Sequence, residues 1–325
     1  MVNQALIRAA SVIYILPLSE TNMIATTFAS GFGFGLWSWI AITIGVVAFS
    51  AMVWARGILR RNADYIKRVS RSGNIEEPTA SGLARRDKIT RFFLWLLVGK
   101  VNIKGTENLE KLNGKSFLVC ANHGNFADVV VMPEVLRGKG ERYMATVGLY
   151  PIFGGFGALL FGPMGVIPCA LERGKGGAAR DAAIDLLSRG NRILVLFPEG
   201  YSYCDGAMGY FKKGAVLIAH ESAKKLGENV YILPVYIRYG RYPGHWIRRI
   251  PIELQYVACL LLAPIYRSGC TVTIGEPIAA DQLPADENGD IGEKATMMLK
   301  TRVCELDPLG LARPGNNVRQ PEITG

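Results

Sequence analysis

The chain reads as an α/β protein, a mixed sheet flanked by helices and preceded by an N-terminal membrane-anchoring helical segment. Three observations predict this. Short apolar runs alternate with longer runs of helical period over residues 115–304, Gly, Pro and Asn punctuate them, and residues 21–55 carry no charge at all. About 20 apolar residues suffice for a helix to cross a bilayer.

The anchor is the first element. Residues 36–49 (LWSWIAITIGVVAF) form its apolar heart, and Gly31, Gly33 and Gly35 divide the stretch. A single crossing and two shorter helices dipping into one leaflet therefore both stay open. Arg8 precedes Glu20, and the apolar run starts too late and runs too long for a signal peptide. Arg56, Arg60, Arg61, Lys67, Arg68 and Arg71 follow it directly. The positive-inside rule then places the rest of the chain on the cytoplasmic side of the inner membrane. The expected organisation is an anchor with basic flank at 1–71, a linker at 72–91 (SGNIEEPTASGLARRDKITR), the main domain at 92–306 and a mobile tail at 307–325.

Within the main domain, residues 92–98 (FFLWLLV) suit either the membrane interface or an ordinary core helix. A buried strand is expected at 115–121 (KSFLVCA), a turn at 122–125 and a helix at 127–136. Strands follow at 142–147 and 166–171, with a short apolar helix near 151–161. Residues 143–171 are uncharged, but Pro151, Pro163 and Pro168 with six glycines would break a lipid-exposed helix repeatedly. That segment suits an acyl-chain pocket or plain core packing equally. Helices are expected at 177–189, 214–226 and 293–304, strands at 190–197 and 230–237, and an interfacial or buried segment at 255–265.

Composition narrows the partners. Half of the 325 residues are hydrophobic, which fits one sizeable domain plus an anchor rather than several small modules. The net charge of +10 is concentrated after the anchor, favouring an anionic membrane surface. Zinc-finger spacing, an aromatic RNA-binding signature and a recognition helix are all missing, so nucleic acid is not an expected partner. Six cysteines, Cys120, Cys169, Cys204, Cys259, Cys270 and Cys304, show no paired metal-ligand spacing and read as reduced core residues. No metal is expected.

The chemistry is concentrated in two short motifs. Asn122-His123-Gly124-Asn125-Phe126-Ala127-Asp128 supplies an imidazole and, five residues later, a carboxylate. Positions five apart on one helix lie about 140° apart, so the two meet only if His123 sits in the loop before the helix that Asp128 begins. A carboxylate on one ring nitrogen fixes the tautomer and stabilises the imidazolium formed when the other nitrogen takes a proton from a hydroxyl. His123 as a helix cap and Asp128 as a helix N-terminal acid is the plainer alternative. The second motif, Phe197-Pro198-Glu199-Gly200, ends an apolar strand in a sharp turn and offers an acidic binding group.

With these blocks in order, the chain resembles the glycerolipid acyltransferase family typified by bacterial 1-acyl-sn-glycerol-3-phosphate acyltransferases. Asn122-His123-x4-Asp128, Gly165-Val166-Ile167 with Glu172-Arg173, Phe197-Pro198-Glu199-Gly200 with Phe211-Lys212-Lys213-Gly214, Leu233-Pro234-Val235 and the late Thr273–Ile278 carry the likeness, over residues 100–280. The resemblance implies a membrane-bound O-acyltransferase with no cofactor, acyl-CoA or acyl carrier protein as donor and a lysophospholipid or related glycerolipid as acceptor. His123 would be the general base and Asp128 its partner. Asn125, Arg173, Glu199, Gly200, Tyr201, Ser202, Lys212 and Lys213 would line the substrate site. Asn125 replaces the family's usual serine, and Tyr201-Ser202 stands where Thr-Arg is expected. Since arginine grips phosphate bidentately, the change keeps open a non-phosphate acceptor such as an ornithine lipid or glycolipid. A catalytically silent lipid-binding protein is the remaining alternative.

Overall fold

The computed structural model describes residues 43, 45–46, 49–50, 75–139, 141–147, 165–170, 177–202, 204–250, 258 and 261–312. The chain divides into two compact units, 1–57 and 58–325, and the sheet with its helices belongs to the second. Of the expected anchor at 21–55 only residues 43, 45–46 and 49–50 are described, all helical; the rest of it, the helix near 151–161 and Arg173 lie outside the described residues. Among the described residues, no helix is long and apolar enough to cross a membrane.

A mixed sheet forms the centre. In chain order its strands are β1 (Val101–Lys104), β2 (Phe117–Ala121), β3 (Arg142–Val147), β4 (Val166–Ala170), β5 (Ile193–Leu196), β6 (Tyr231–Tyr239), β7 (Cys270–Ile274) and β8 (Ile278–Ala279). They lie side by side as β1-β7-β6-β2-β5-β3-β4, with β8 also against β6. β2 is the middle strand, parallel to both β5 and β6, with Leu118 opposite Leu194 and Ile232. A strand covered on both faces needs an unbroken apolar run, which FLVCA and ILVL supply, every residue buried. β7 and β8 turn antiparallel to β6.

Proline in β6 is compatible with this interior position because the partner changes there. β8 pairs at Tyr231 and Ile232, β7 from Val235 onward, and Pro234 falls in the gap between them. A residue's N–H and C=O point the same way along a strand; the Pro234 carbonyl accepts from Gly275 N–H at 2.9 Å, so the missing donor faces the interrupted edge.

Among the described residues the helices that accompany the sheet include α1 (Ala80–Leu97), α2 (Thr106–Glu110), α3 (Asp128–Val135), α4 (Gly177–Leu187), α5 (Gly214–Leu226) and α6 (Glu293–Glu305). α1 packs on α3, whereas α5 packs on both α4 and α6. α5 buries Ala215, Val216, Ile218, Ala219 and Ser222, the i, i+3, i+4, i+7 stripe of an amphipathic helix.

Two boundaries differ from expectation. The segment 72–91 is not a linker beyond residue 79: Thr79 caps α1 by accepting from Gly82 N–H at 3.0 Å, and the helix runs on to Leu97. Its buried stripe of Gly82, Arg86, Thr90, Leu94 and Leu97 includes a charge, and that charge is paired. The Arg86 guanidinium donates to the Glu141 carboxylate at 2.8 Å and to the Glu141 carbonyl at 3.0 Å, both residues being buried. At the other end, residues 307–312 are held rather than mobile. The buried Asp307 carboxylate accepts from Leu309, Leu311 and Ala312 N–H groups and from Arg238 at 2.9 Å. Desolvation opposes the Asp307 charge, but these donors outweigh it and hold its pKa below the ordinary value. β1 and α2, not anticipated from the sequence, add an edge strand beside β7 and a short helix against it.

Candidate active site

The site begins where β2 stops. Ala121 is the last residue of β2 paired with β6, and Asn122 continues the contact with its side chain: Nδ2 donates to the Ile237 carbonyl at 3.0 Å and Oδ1 accepts from Ile237 N–H at 2.6 Å. A side-chain amide matches a peptide in donors and acceptors, so Asn122 satisfies the buried Ile237 groups while its own backbone leaves the sheet. The backbone thus freed is braced from the opposite side. His123 N–H donates to Glu199 Oε1 at 2.7 Å, and the Gly124 carbonyl accepts from Gly206 N–H at 3.1 Å.

Asn125 then turns the chain into α3. Its side-chain oxygen accepts from Ala127 N–H at 3.1 Å, its carbonyl accepts from Asp128 N–H, and its own N–H donates to Asp128 Oδ2 at 3.0 Å. The turn carries the Asp128 carboxylate back to the imidazole, with His123 Nδ1 3.0 Å from Asp128 Oδ2. Both expectations about this motif hold: His123 lies in the loop and Asp128 starts the helix. Asn125 is nine-tenths buried with its oxygen engaged in the turn, so it shapes the loop rather than offering that oxygen to a substrate.

Asp128 is fully buried and acceptor-only when ionised, so Nδ1 carries the hydrogen and Nε2 keeps its lone pair. The imidazole is stacked on the Phe197 ring, centroids 4.3 Å apart and planes 17° from parallel, and its side chain is 13% exposed. Burial works to lower the His123 pKa; the hydrogen bond to Asp128 and its charge, with Glu199 adding, reverse this and leave it raised. Burial likewise raises Asp128, against the pull of His123 and the other donors. The arrangement is an oriented base, able to take a proton on Nε2 and return it.

Phe197-Pro198-Glu199-Gly200 does more holding than the sequence implied. Glu199 is 1% exposed, and its second oxygen accepts from Gly209 N–H at 2.5 Å. It therefore braces two loops from within, which corrects the expectation of an open acidic binding group. Burial raises its pKa to about 7, opposed by the two backbone donors and His123. Gly200 has φ of +68°, and a Cβ there would stand 2.8 Å from Lys212 Nζ. The Lys212 ammonium is thus drawn over the turn, next to the residue that holds His123.

The other expected residues scatter. Tyr201 is half-buried on the loop. Ser202 is 1% exposed, its hydroxyl accepting from Cys204 N–H at 3.3 Å, so it does not line an open acceptor site as expected. Lys213 is exposed at the N-cap of α5. Among the described residues, no group of three His, Cys, Asp or Glu side chains is placed to hold a metal ion.

Sequence reasoning missed one neighbour of the His123–Asp128 pair. The Tyr239 hydroxyl, at the end of β6, donates to Asp128 Oδ1 at 2.8 Å. The two are 111 positions apart, and only the pairing of β6 with β2 joins them, so no local signal marks Tyr239.

A parallel-centred sheet that delivers an oriented imidazole at the end of its middle strand, with a buried glutamate behind it, is the frame of an acyltransferase domain, and residues 100–238 match the family model described as Acyltransferase. Over part of its length the chain resembles 1-acyl-sn-glycerol-3-phosphate acyltransferases. It is 33% identical over 125 residues to the chloroplastic 1-acyl-sn-glycerol-3-phosphate acyltransferase LPAT1 of Arabidopsis thaliana, covering 37% of this chain and 32% of that one. Against the chloroplastic BAT2 enzyme of Brassica napus the identity is 30%, covering 37% and 33%. The match thus spans about a third of the length of these relatives. The crystal structure of the 1-acyl-sn-glycerophosphate (LPA) acyltransferase PlsC from Thermotoga maritima is similar with a TM-score of 0.45 and 22% identity, over 71% of this chain and 80% of that one.

Proposed function

We propose that this protein is a membrane-bound O-acyltransferase that moves a fatty acyl group from an acyl thioester, acyl-CoA or acyl carrier protein, to the hydroxyl of a lysophospholipid. The observation that carries this reading is the His123–Asp128 pair, with Nδ1 engaged and Nε2 open in a domain of the acyltransferase family. His123 Nε2 takes the hydroxyl proton as that oxygen attacks the thioester carbonyl. The tetrahedral intermediate then expels the thiolate, which receives the proton from the imidazolium. The new ester and a free thiol are the products, and no covalent enzyme intermediate is needed.

Lys212 supports a phosphate-bearing acceptor. With serine where an arginine is expected, the Lys212 ammonium standing over Gly200 is a cation next to the motif that can meet a phosphate. Lys212→Ala should raise KM for lysophosphatidic acid about tenfold, the scale of one charge-assisted hydrogen bond, and change kcat little. Purified full-length protein, several lysolipid acceptors and product mass spectrometry provide the measurement. Tyr201-Ser202 favours the second reading, a non-phosphate acceptor. Preference for such an acceptor, with Lys212→Ala leaving the ratio of acceptors untouched, would establish that reading instead; transfer to no acceptor at all would point to a silent lipid binder.

For membrane attachment, α1 adds to whatever the first unit contributes. Arg85, Lys88, Arg91, Phe92 and Trp95 lie on one face spanning roughly 120°; all are exposed, Trp95 at 60%, and no acid joins them. Arg267 stacks over the Trp95 ring at 5.5 Å. A basic and aromatic face of this kind suits the headgroup layer of an anionic bilayer on the cytoplasmic side. In vesicles containing brominated lipids, fluorescence quenching should be smaller for Trp95→Phe than for the unmodified chain. Equal quenching of the two would remove α1 from the interface.

A further inference from the structure

The Asp128 carboxylate has two oxygens with different tasks. Oδ2 meets His123 Nδ1 and Asn125 N–H, both within the same short motif. Oδ1 meets a donor brought from the far end of β6, the Tyr239 hydroxyl at 2.8 Å. Tyr239 is 4% exposed and itself fixed: its N–H donates to the Tyr242 hydroxyl at 3.1 Å, and the two rings meet edge to face with centroids 5.7 Å apart. The Tyr242 ring in turn fills the space beside Gly206, where a Cβ would come within 2.6 Å of it, and Gly206 N–H holds the Gly124 carbonyl. The loop bearing His123 and the donor to Asp128 are therefore built on one interlocked unit.

We propose that Tyr239 is a positioning residue of the acyl-transfer site: its hydroxyl, donating to Asp128 Oδ1, fixes the carboxylate so that Oδ2 faces His123 Nδ1, and draws off part of the charge that Oδ2 presents to the imidazole. This role rests on the acyl-transfer reading for what the imidazole does, but its geometric content is independent of the substrate. Without the hydroxyl, the carboxylate can rotate about its Cβ–Cγ bond, and the imidazole loses its fixed aim. The carboxylate also becomes a stronger acceptor, which stabilises imidazolium and makes His123 harder to deprotonate near neutrality.

The charged and titratable groups that face this pair come from every side. His123 is met by Asp128, Glu199 and Cys204. Asp128 is met by His123 and Tyr239, and Tyr242 and Cys270 lie within electrostatic range of it. Burial keeps the Tyr239 phenol far above its ordinary value, so it stays a donor at every working pH. Of these groups, Tyr239 is the one bonded to Asp128 Oδ1.

The test is Tyr239→Phe in the full-length protein, which removes the oxygen and keeps the ring. The expected kinetic result is kcat lowered about tenfold, with KM for donor and acceptor within about twofold, and the acid limb of the pH–rate profile moved to higher pH. The chain has 3 histidines, so ¹⁵N-histidine labelling with His123→Gln as the assignment control reads the imidazole directly. Its pKa should rise by about half a unit or more in Tyr239→Phe. Site-specific 3-fluorotyrosine at position 239 keeps the bond with a stronger donor and should move the His123 pKa the opposite way, which covers the case of a poorly folded phenylalanine variant. An unmoved His123 pKa in both proteins overturns the proposal, even if Tyr239→Phe lowers stability, since a merely structural tyrosine would do that. If the unmodified protein transfers no acyl group, the acyl-transfer reading fails, while the titration still decides the role of Tyr239.

Discussion

Replacing His123 by alanine should lower turnover about 10²- to 10⁴-fold, the usual contribution of a positioned general base, while the protein stays folded. Retained folding is expected because the loop is held by its backbone. The His123 N–H to Glu199 bond, the Gly124 carbonyl to Gly206 bond and the Asn122 side-chain pairing with Ile237 all survive the substitution. What disappears is the proton acceptor stacked on Phe197. Single-turnover transfer from an acyl thioester, with circular dichroism as the folding control, measures both. Near-normal transfer by folded His123→Ala protein would eliminate His123 as the base.

Replacing Glu199 should act in the reverse manner, on the framework before the chemistry. Both of its oxygens accept backbone N–H groups in a fully enclosed position. In Glu199→Ala those two donors lose their partner, and each buried orphan costs about 1–3 kcal/mol. Chemical denaturation should show a loss of that order per donor, together with most of the activity, because the His123 backbone is one of the two. The charge adds a pH dependence. Glu199 titrates at about 7 in the fold against an ordinary 4.5. The folded state therefore holds the proton more tightly, so this contribution to stability is greatest below 4.5 and is lost as pH rises through the window to about 7. Glu199→Gln, which cannot ionise, should flatten that part of the stability profile. A profile unchanged in Glu199→Gln would mean that Glu199 does not titrate there.

What the sequence disclosed and what it hid divide along contact range. The strand–turn–helix at Asn122 to Asp128 was legible because its determinants are local: an apolar strand, a polar turn and an acid at a helix start. The five-residue interval alone forced His123 into the loop. The strands and helices around the sheet were legible for the same reason, since alternation of apolar runs with Gly and Pro is a short-range signal. Glu199 was found but misread. Its glycine-flanked turn looks solvent-facing, and its burial comes from loops 76 and 10 positions away. Ser202 was misread in the same way. Tyr239 was invisible, because nothing in LPVYIRY distinguishes a tyrosine that faces Asp128 from one that faces solvent. The supposed linker misled for a different reason. Two arginines, a lysine and a glycine within 82–88 resemble a solvated hinge, and only the distant Glu141 makes one of those arginines a core residue.

That buried pair limits where the chain can be divided. Removing one partner of an enclosed ion pair leaves the other charge without compensation, at a cost of about 3–5 kcal/mol. The folded unit around the sheet therefore does not begin at β1, where the family match begins, but at least as far back as the Thr79 cap that starts α1. Any shortened form must keep α1 whole, and with it the exposed face of Phe92 and Trp95. The core ion pair and the exposed aromatic face proposed for the membrane are inherited together on one helix. A version of this protein trimmed for solubility would have to change that surface residue by residue, because the helix that carries it cannot be removed.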